Sequence, residues 1–431
     1  MISDQQTTLS RTFRLNCLPH EAILVESLLQ AQGFIFENDP CYLMARRLIS
    51  GPMALGNALA HIFGYIYIQD RSSMLPPLLL DPPRGSVVLD MCASPGSKTS
   101  LLARLVGPQG LVVANEVSPS RLGTLRANLR LQNLPNVVTT CYQGQDLPLE
   151  EGIWPYILVD APCSGWGTVD KNPQVMNVWT PDKLAPLVQL QKDILAKAAR
   201  FLSPGGTIIY STCTTDPLEN EEQVRWAVDT LDLQLEHLEP LPGFRIDREG
   251  ASELAHCLLV DGTKSGAQGF FVARLKKPGY LQQGQLSPTY RTESTSTGPR
   301  GTPVSMDLLT RRLPLRKTTL EHGTCALFKD RIFFLHHKAR ELFAPHLRWQ
   351  GFPLGTLRND RFRIDSRLHC LMPSHDILGG LNVTDIDILH KIISGQSLPS
   401  PGKSTTGGLY WQGLPLGWLT IKGSRCLWSD R

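Results

Sequence analysis

Two cysteines stand where a chain could do covalent chemistry. Cys163 lies in Asp160-Ala161-Pro162-Cys163-Ser164-Gly165, and Cys213 in Tyr210-Ser211-Thr212-Cys213-Thr214, each just past a short run that reads as a strand. A thiolate is a potent nucleophile, but a thiol of pKa about 8.5 is mostly protonated at neutral pH and must be activated by its site. Lys98 and Lys171 are the candidate cations for that task, each equally readable as a solvated surface lysine. Neighbouring parallel strands lie about 4.8 Å apart, so cysteines beyond adjacent strand ends would face one crevice. The Pro, Ser, Gly and Thr residues around both weigh against a pair of inert core thiols. None of the ten cysteines forms a CxxC pair, so the usual structural-zinc pattern is missing and no metal is expected.

A third motif, Asp90-Met91-Cys92-Ala93-Ser94-Pro95-Gly96-Ser97-Lys98-Thr99, separates an apolar run from a helical pattern. Small residues there let backbone N–H groups approach a ligand. It is not GxGxxG, nor a P-loop, because Met91 replaces the first glycine of GxxxxGK. Glu116 closes the following run, a position from which an acid can accept hydrogen bonds from ribose hydroxyls. A ligand with a ribose but no required pyrophosphate fits S-adenosylmethionine better than NAD. A plain tight strand–helix turn is the alternative.

The elements that must position these motifs alternate. Strands are predicted at 87–90, 111–115, 136–140, 156–160 and 206–211, and helices at 99–106, 119–132, 181–202 and 218–229. Two late runs, 255–260 and 269–275, read as further strands. Such alternation predicts an α/β fold: an open, mostly parallel sheet covered on both faces, with ligands beyond the carboxyl ends of its strands.

Length and composition organise the rest. The 431 residues suggest two or three domains, and 42% apolar with 19% charged residues is the balance of a globular protein. The expected division is an N-terminal extension of the catalytic core (1–75), the α/β domain (76–278), a Ser/Thr/Gly/Pro-rich linker (279–303) and a smaller β-rich domain (304–431). In that last part Trp349-Gln350-Gly351-Phe352-Pro353-Leu354-Gly355 recurs as Trp411-Gln412-Gly413-Leu414-Pro415-Leu416-Gly417, which suggests equivalent turn–strand corners. Residues 301–431 carry 18 Lys and Arg against 10 Asp and Glu, a balance of +8, whereas the rest of the chain stands at −4. That asymmetry suggests a polyanion-binding module or, equally, a solvated basic surface. No run approaches the roughly 18 apolar residues of a membrane span, and the first residues lack the features of a secretory signal, so a cytoplasmic protein is expected.

Residues 67–222 resemble the NOL1/NOP2/Sun family of RNA 5-methylcytosine methyltransferases. The resemblance rests on Gln69-Asp70-Arg71-Ser72-Ser73-Met74, on 90–99, on 160–165, and on Tyr210 to Cys213 with Glu219-Asn220-Glu221. Gly269-Phe270-Phe271-Val272-Ala273-Arg274 resembles the family's closing strand, and Tyr410 to Trp418 the PUA-like RNA-binding end of bacterial RsmF-type members. The resemblance implies a Rossmann-like class I methyltransferase domain that binds S-adenosylmethionine through Cys92 to Lys98, Glu116 and Asp160. It also implies that Cys213 is the nucleophile, that Cys163 assists product release, and that Asp160 holds the amino edge of cytosine. One departure is Gln143, standing where family members often carry Asp; either it or Asp146 would contact the adenosine.

Thiolate addition to C6 of cytosine makes C5 enamine-like, after which a base removes the C5 proton. The target base must be unpaired or flipped out. Small-subunit ribosomal RNA is the expected substrate of a monomeric enzyme, with transfer RNA as the alternative. Trp349, Trp411 and Trp418 could stack on bases or pack internally. A DNA cytosine-C5 methyltransferase would place its nucleophile in a Pro-Cys pair like that at Cys163, but Cys213 in a second motif favours the RNA family. A catalytically silent RNA-binding assembly factor is opposed by the presence of Cys213, Cys163, Asp160 and Lys98 together.

Overall fold

The computed structural model describes residues 11–169, 174, 180–247, 256–281, 301–310, 313–344, 346–359, 361–375, 380–400 and 406–428. Residues 282–300 of the expected linker and the candidate cation Lys171 lie outside them.

A four-stranded antiparallel sheet opens the chain. It is built from β1 (Thr12–Leu15), β2 (Ile35–Asn38), β3 (Ala45–Ser50) and β4 (Ile66–Ile68) in the order β2-β3-β1-β4. Helices α1 (Ala22–Ala31) and α2 (Leu59–Ile62) accompany it, and α3 (Leu75–Leu80) leads onward.

The alternating pattern then appears as β5 (Val87–Asp90), α4 (Ser97–Val106), β6 (Leu111–Asn115), α5 (Pro119–Leu131), β7 (Val137–Thr140), β8 (Trp154–Asp160), α6 (Pro181–Phe201), β9 (Leu202–Thr212) and α7 (Glu221–Thr230). After them come β10 (Gln234–Glu236), β11 (Leu258–Val260), α8 (Gly262–Ser265) and β12 (Phe270–Lys276). The sheet order is β10-β12-β9-β8-β5-β6-β7, parallel from β9 to β7 and antiparallel at β12 and β10. This is a Rossmann-like methyltransferase fold. Alternate residues of its strands fill two separate cores. Val87, Leu89, Ile157, Val159 and Tyr210 pack on one face, and Val88, Val112, Leu158 and Ile209 on the other. A sheet buried on both faces is why these strands read as continuous apolar runs.

The C-terminal region is β-rich. Strands β13 (Thr302–Val304), β14 (Gly323–Phe328), β15 (Arg331–His336), β17 (Phe352–Arg358) and β18 (Arg361–Ile364) form one antiparallel sheet. Strands β19 (Leu381–Val383), β20 (Leu398–Pro399), β21 (Thr406–Trp411), β22 (Leu414–Lys422) and β23 (Arg425–Trp428) form a second. The two-residue β16 (Trp349–Gln350) instead leaves this region and adds antiparallel to β7, extending the central sheet. A third core joins the ends of the chain, with Phe13, Leu28 and Leu59 packed with Leu409, Trp411 and Trp428.

The sequence repeat has a different structural meaning from the one expected. Gln412 and Gly413, both at positive φ, turn β21 into β22, so that Trp411 pairs with Leu414. Trp349 instead pairs with Thr140 of the central sheet. The corners are therefore not equivalent. What the copies share is the Pro-Leu-Gly step. Pro353 and Gly355 pair with consecutive residues of β15, as Pro415 and Gly417 do with β21, leaving the buried Leu354 and Leu416 as extra residues in β-bulges. Gly355 and Gly417 take φ of 151° and 154° at these steps.

Trp411 and Trp418 are fully buried, and their indole N–H groups donate to Ser27 Oγ (3.0 Å) and to the Leu368 carbonyl (2.8 Å). Neither presents a ring face for base stacking. Trp411→Phe is expected to lose about 1–2 kcal/mol of stability in urea unfolding, with RNA affinity unchanged. A selective loss of affinity at unchanged stability would contradict the packing role.

Candidate active site

The site lies beyond the carboxyl ends of β5, β6, β8 and β9, around the point where the strand order reverses between β5 and β8. In the β8–β9 register Asp160 pairs with Ser211. Three residues past Asp160 and two past Ser211, Cys163 Sγ and Cys213 Sγ stand 3.2 Å apart, both as free thiols. Both are partly buried.

Buried polar contacts hold the two cysteine loops together. Glu219 is fully buried and accepts hydrogen bonds from the Ser164 N–H (2.9 Å), the Ser164 hydroxyl and the Gln191 side-chain amide (2.8 Å). Gln191, from α6, also donates to the Pro162 carbonyl at 2.9 Å. Tyr210 donates its hydroxyl to the Glu219 carbonyl at 2.6 Å, and Ser164 and Thr214 share a hydroxyl contact at 2.8 Å. The Gly167 N–H donates to the Cys213 carbonyl at 3.0 Å, and a Cβ on Gly167 would stand 2.4 Å from the Gly269 carbonyl. Glycine is required by this close approach.

The contact with Cys163 is the largest influence on Cys213. The hydrogen-bond contact with that thiol lowers its pKa, against burial and the charge of Asp160, which raise it. Cys163 is pushed well above the ordinary thiol range by the same contact and by burial. Of the two, Cys213 is therefore the sulfur that gives up its proton more readily.

Lys98 adds a smaller lowering influence. Its ammonium donates to Asp160 Oδ2 at 2.7 Å and lies over the Phe270 ring at 5.2 Å. Of the two candidate cations, Lys98 lowers the Cys213 pKa, though less than the second thiol does, and engages the Asp160 carboxylate, while Lys171 lies outside the described residues. A lowered pKa populates the thiolate at a lower pH than in an ordinary cysteine. Iodoacetamide labelling followed by peptide mass spectrometry is expected to modify Cys213 faster than Cys163 at pH 7, with Cys163 gaining only at high pH. Equal profiles for the two would contradict this polarity.

Asp160 Oδ1 also accepts from the Ser211 hydroxyl at 2.9 Å, while 26% of the Asp160 side chain remains accessible. Asp90, at the end of β5, accepts from the Thr99 hydroxyl at 2.7 Å, and burial pushes its carboxyl up to about 7. Ser94 to Ser97 turn into α4 through Gly96 at φ 103°. Cys92 is partly buried, and desolvation raises its thiol pKa. Glu116 is buried and accepts from the Ser118 N–H at 2.9 Å. Gln143 and Asp146 flank one short turn and both are exposed, so both alternatives for the adenosine contact stay available.

The motif at 69–74 acts as a clasp. Arg71 forms a buried two-point ion pair with Asp39 (2.6 and 3.1 Å), and Asp70 accepts from the Gln268 N–H at 3.1 Å just before β12. Sequence reasoning missed Gln191 altogether, because a glutamine within a helix carries no signal of an inward role. It also assigned no role to Glu219, although that residue was part of the recognised motif.

Residues 77–276 match the family model described as 16S rRNA methyltransferase RsmB/F. The ribosomal RNA small subunit methyltransferase F of Salmonella agona (strain SL483) is 36% identical over 283 residues, which cover 64% of this chain and 59% of that protein. The chain thus spans about three-fifths of the length of the curated relatives it matches. A methyltransferase homolog protein from Pyrococcus horikoshii shares the fold at TM-score 0.55 and 32% identity, over 62% of this chain and 86% of that one. NSun6 from the same organism shares the fold at TM-score 0.54 and 20% identity, over 62% and 90% of the two chains.

Proposed function

Since the chain belongs to the RsmB/F methyltransferase family through residues 77–276, we propose that it methylates C5 of a cytosine in small-subunit ribosomal RNA. The observation that carries the cytosine-C5 reading is the pair of free thiols 3.2 Å apart beyond β8 and β9, a contact that lowers the Cys213 pKa and raises that of Cys163. One thiolate suffices to activate a pyrimidine; a second thiol at contact distance supplies a group to assist release.

S-adenosylmethionine is the cofactor, and when bound it supplies an electrophilic methyl group. The residues beyond β5 and β6 fit it: the buried Glu116 carboxylate suits ribose hydroxyls, and the loop from Cys92 to Lys98 has the small residues a close ligand needs. Gln143 and Asp146 are the two candidates for the adenosine edge.

In the proposed mechanism Cys213 Sγ forms a bond to C6 of cytosine, and the C5=C6 electron pair becomes available at C5 for the new carbon–carbon bond. Asp160 accepts from the cytosine amino group, while Lys98 and Ser211 fix its carboxylate. Removal of the C5 proton by a base then returns the electron pair to C5=C6 and expels the Cys213 thiolate. Cys163, beside the leaving sulfur, assists this elimination.

The two C-terminal sheets and the basic balance of residues 301–431 support a PUA-like, RNA-binding role for that region. Monomeric action and the division at residues 75, 278 and 303 belong to the same reading. Incubation with labelled S-adenosylmethionine and ribosomal or transfer RNA, followed by 5-methylcytosine mapping, tests it. Label on C5 of a small-subunit ribosomal RNA cytosine is expected. Label confined to transfer RNA or to another atom would refute the assignment.

A further inference from the structure

The function proposed above requires that ribosomal RNA be held, and a face of the first C-terminal sheet bears directly on where. Across β15, β17 and β18 the register sets Arg331 beside Thr356 and Thr356 beside Arg363, with Arg358 opposite Arg361. Side chains alternate along strands, so these four arginines and the threonine share one face. Leu357 and Phe362, on the other face, pack into the core beneath. Like charges directly opposite each other destabilise a sheet, and of the facing Arg358 and Arg361 only the first has an internal acid to offset its charge.

Charge balance points the same way. Arg358 is paired with Asp330 (2.8 and 3.2 Å), but Arg331, Arg361 and Arg363 are exposed and make no ion pair among the described residues. A cleft of about 360 Å³ opens beside them, lined by Arg331, Arg363 and Arg130 of α5, the last held by Asp365 at 2.5 and 2.8 Å. A second groove shares Arg130 and Arg331 and adds Arg126. A third shares Arg126 and adds the exposed Arg348 together with Cys141, the residue that directly follows β7. Shared lining residues therefore set the clefts side by side, from Cys141 after β7 through Arg126, Arg130 and Arg331 to Arg363. A further groove lined by Thr356, Arg358, Arg361 and Arg363 reaches the tip of the β17–β18 hairpin.

We propose that this arginine track carries the phosphodiester backbone of the RNA substrate, leading it from the C-terminal sheet to the catalytic face. The guanidinium fork matches phosphate oxygens at two points. Cations strung along connected grooves suit a chain of phosphates, whereas a free phosphate would call for convergence on one point.

The test uses the full chain and an in vitro transcribed small-subunit ribosomal RNA. Filter binding between 50 and 200 mM salt is compared for the unsubstituted protein and an Arg331→Gln/Arg361→Gln/Arg363→Gln variant. Loss of three phosphate contacts is expected to flatten the slope of log K against log salt by about 2–3 and to weaken binding tenfold or more at the lowest salt. S-adenosylmethionine binding should be unchanged in that variant, which also reports that it folds. If it does not fold, Arg361→Gln and Arg363→Gln alone are each expected to flatten the slope by roughly 0.7–0.9. Lys317→Gln/Lys391→Gln, exposed on the same region but outside the track, should leave the slope as it is.

An unaltered slope in the arginine variants, with the unsubstituted chain methylating the RNA, would overturn the track and leave the function standing. An unsubstituted chain that neither binds nor methylates the RNA would overturn both. Equal competition by polyglutamate would overturn the assignment to phosphodiesters.

Discussion

Cys213→Ala is expected to abolish methyl transfer, with a fall in rate on the order of 10³ or more, while Cys163→Ala accumulates protein covalently bound to RNA. The two outcomes differ because the polarity of the thiol pair assigns different work to each sulfur. With the Cys213 pKa lowered and that of Cys163 raised, Cys213 is the sulfur that more readily becomes the thiolate that adds to C6. Removing it removes the bond on which activation of C5 depends. Removing Cys163 leaves a nucleophile that can still add, but one without the group that aids its departure.

Denaturing gel electrophoresis after incubation with labelled RNA reads this directly. A slow-migrating band is expected for Cys163→Ala and for neither Cys213→Ala nor the double variant. Cys163→Ala also loses the thiol contact that lowers the Cys213 pKa, so its adduct should form more slowly at pH 6 than at pH 8. Full turnover in Cys213→Ala would defeat the covalent assignment. A release role for Cys163 would fail if its alanine variant left no adduct at any pH.

Much of this site could be read before any coordinates, for a physical reason. Parallel strands buried on both faces leave uninterrupted apolar runs such as 87–90 and 111–115, and the residues just past them must line the crevice. Asp90, Glu116, Asp160, Cys163 and Cys213 were all legible in that way. The remainder depends on contacts between residues distant in sequence, which no local pattern encodes. Lys98 reaches Asp160 over 62 residues, and Gln191 reaches Glu219 over 28. Trp349 and Trp411 head near-identical heptapeptides, yet one pairs into the catalytic sheet and the other closes a hairpin. Local sequence set the bulge at Pro-Leu-Gly in both copies, and tertiary packing decided everything else about them.

The buried Glu219 leads to the second large effect. Its carboxylate accepts from three donors that tie α6, the Cys163 loop and the Cys213 loop into one unit. Glu219→Gln keeps the shape but turns one acceptor into a donor, which either faces the Ser164 N–H and the Gln191 amide or obliges the Ser164 hydroxyl to turn its proton to Thr214. It also removes the charge that strengthens all three bonds. The expected cost is about 3 kcal/mol in urea unfolding, against about 1 kcal/mol for Ser164→Ala, which deletes a single donor. Since both changes act on one cluster, the double variant should cost less than the sum.

Stability alone would not separate a positioning role from plain packing, so the thiols supply the second readout. If Glu219 holds the sulfurs at contact distance, its loss should shift iodoacetamide labelling of Cys213 toward higher pH and lower kcat more than it raises KM. A destabilised variant with an unaltered Cys213 labelling profile would confine Glu219 to the core. A variant as stable as the unsubstituted chain would mean that the three hydrogen bonds contribute little to the fold. The prediction rests on the carboxylate being the shared acceptor of the Ser164 N–H, the Ser164 hydroxyl and the Gln191 amide.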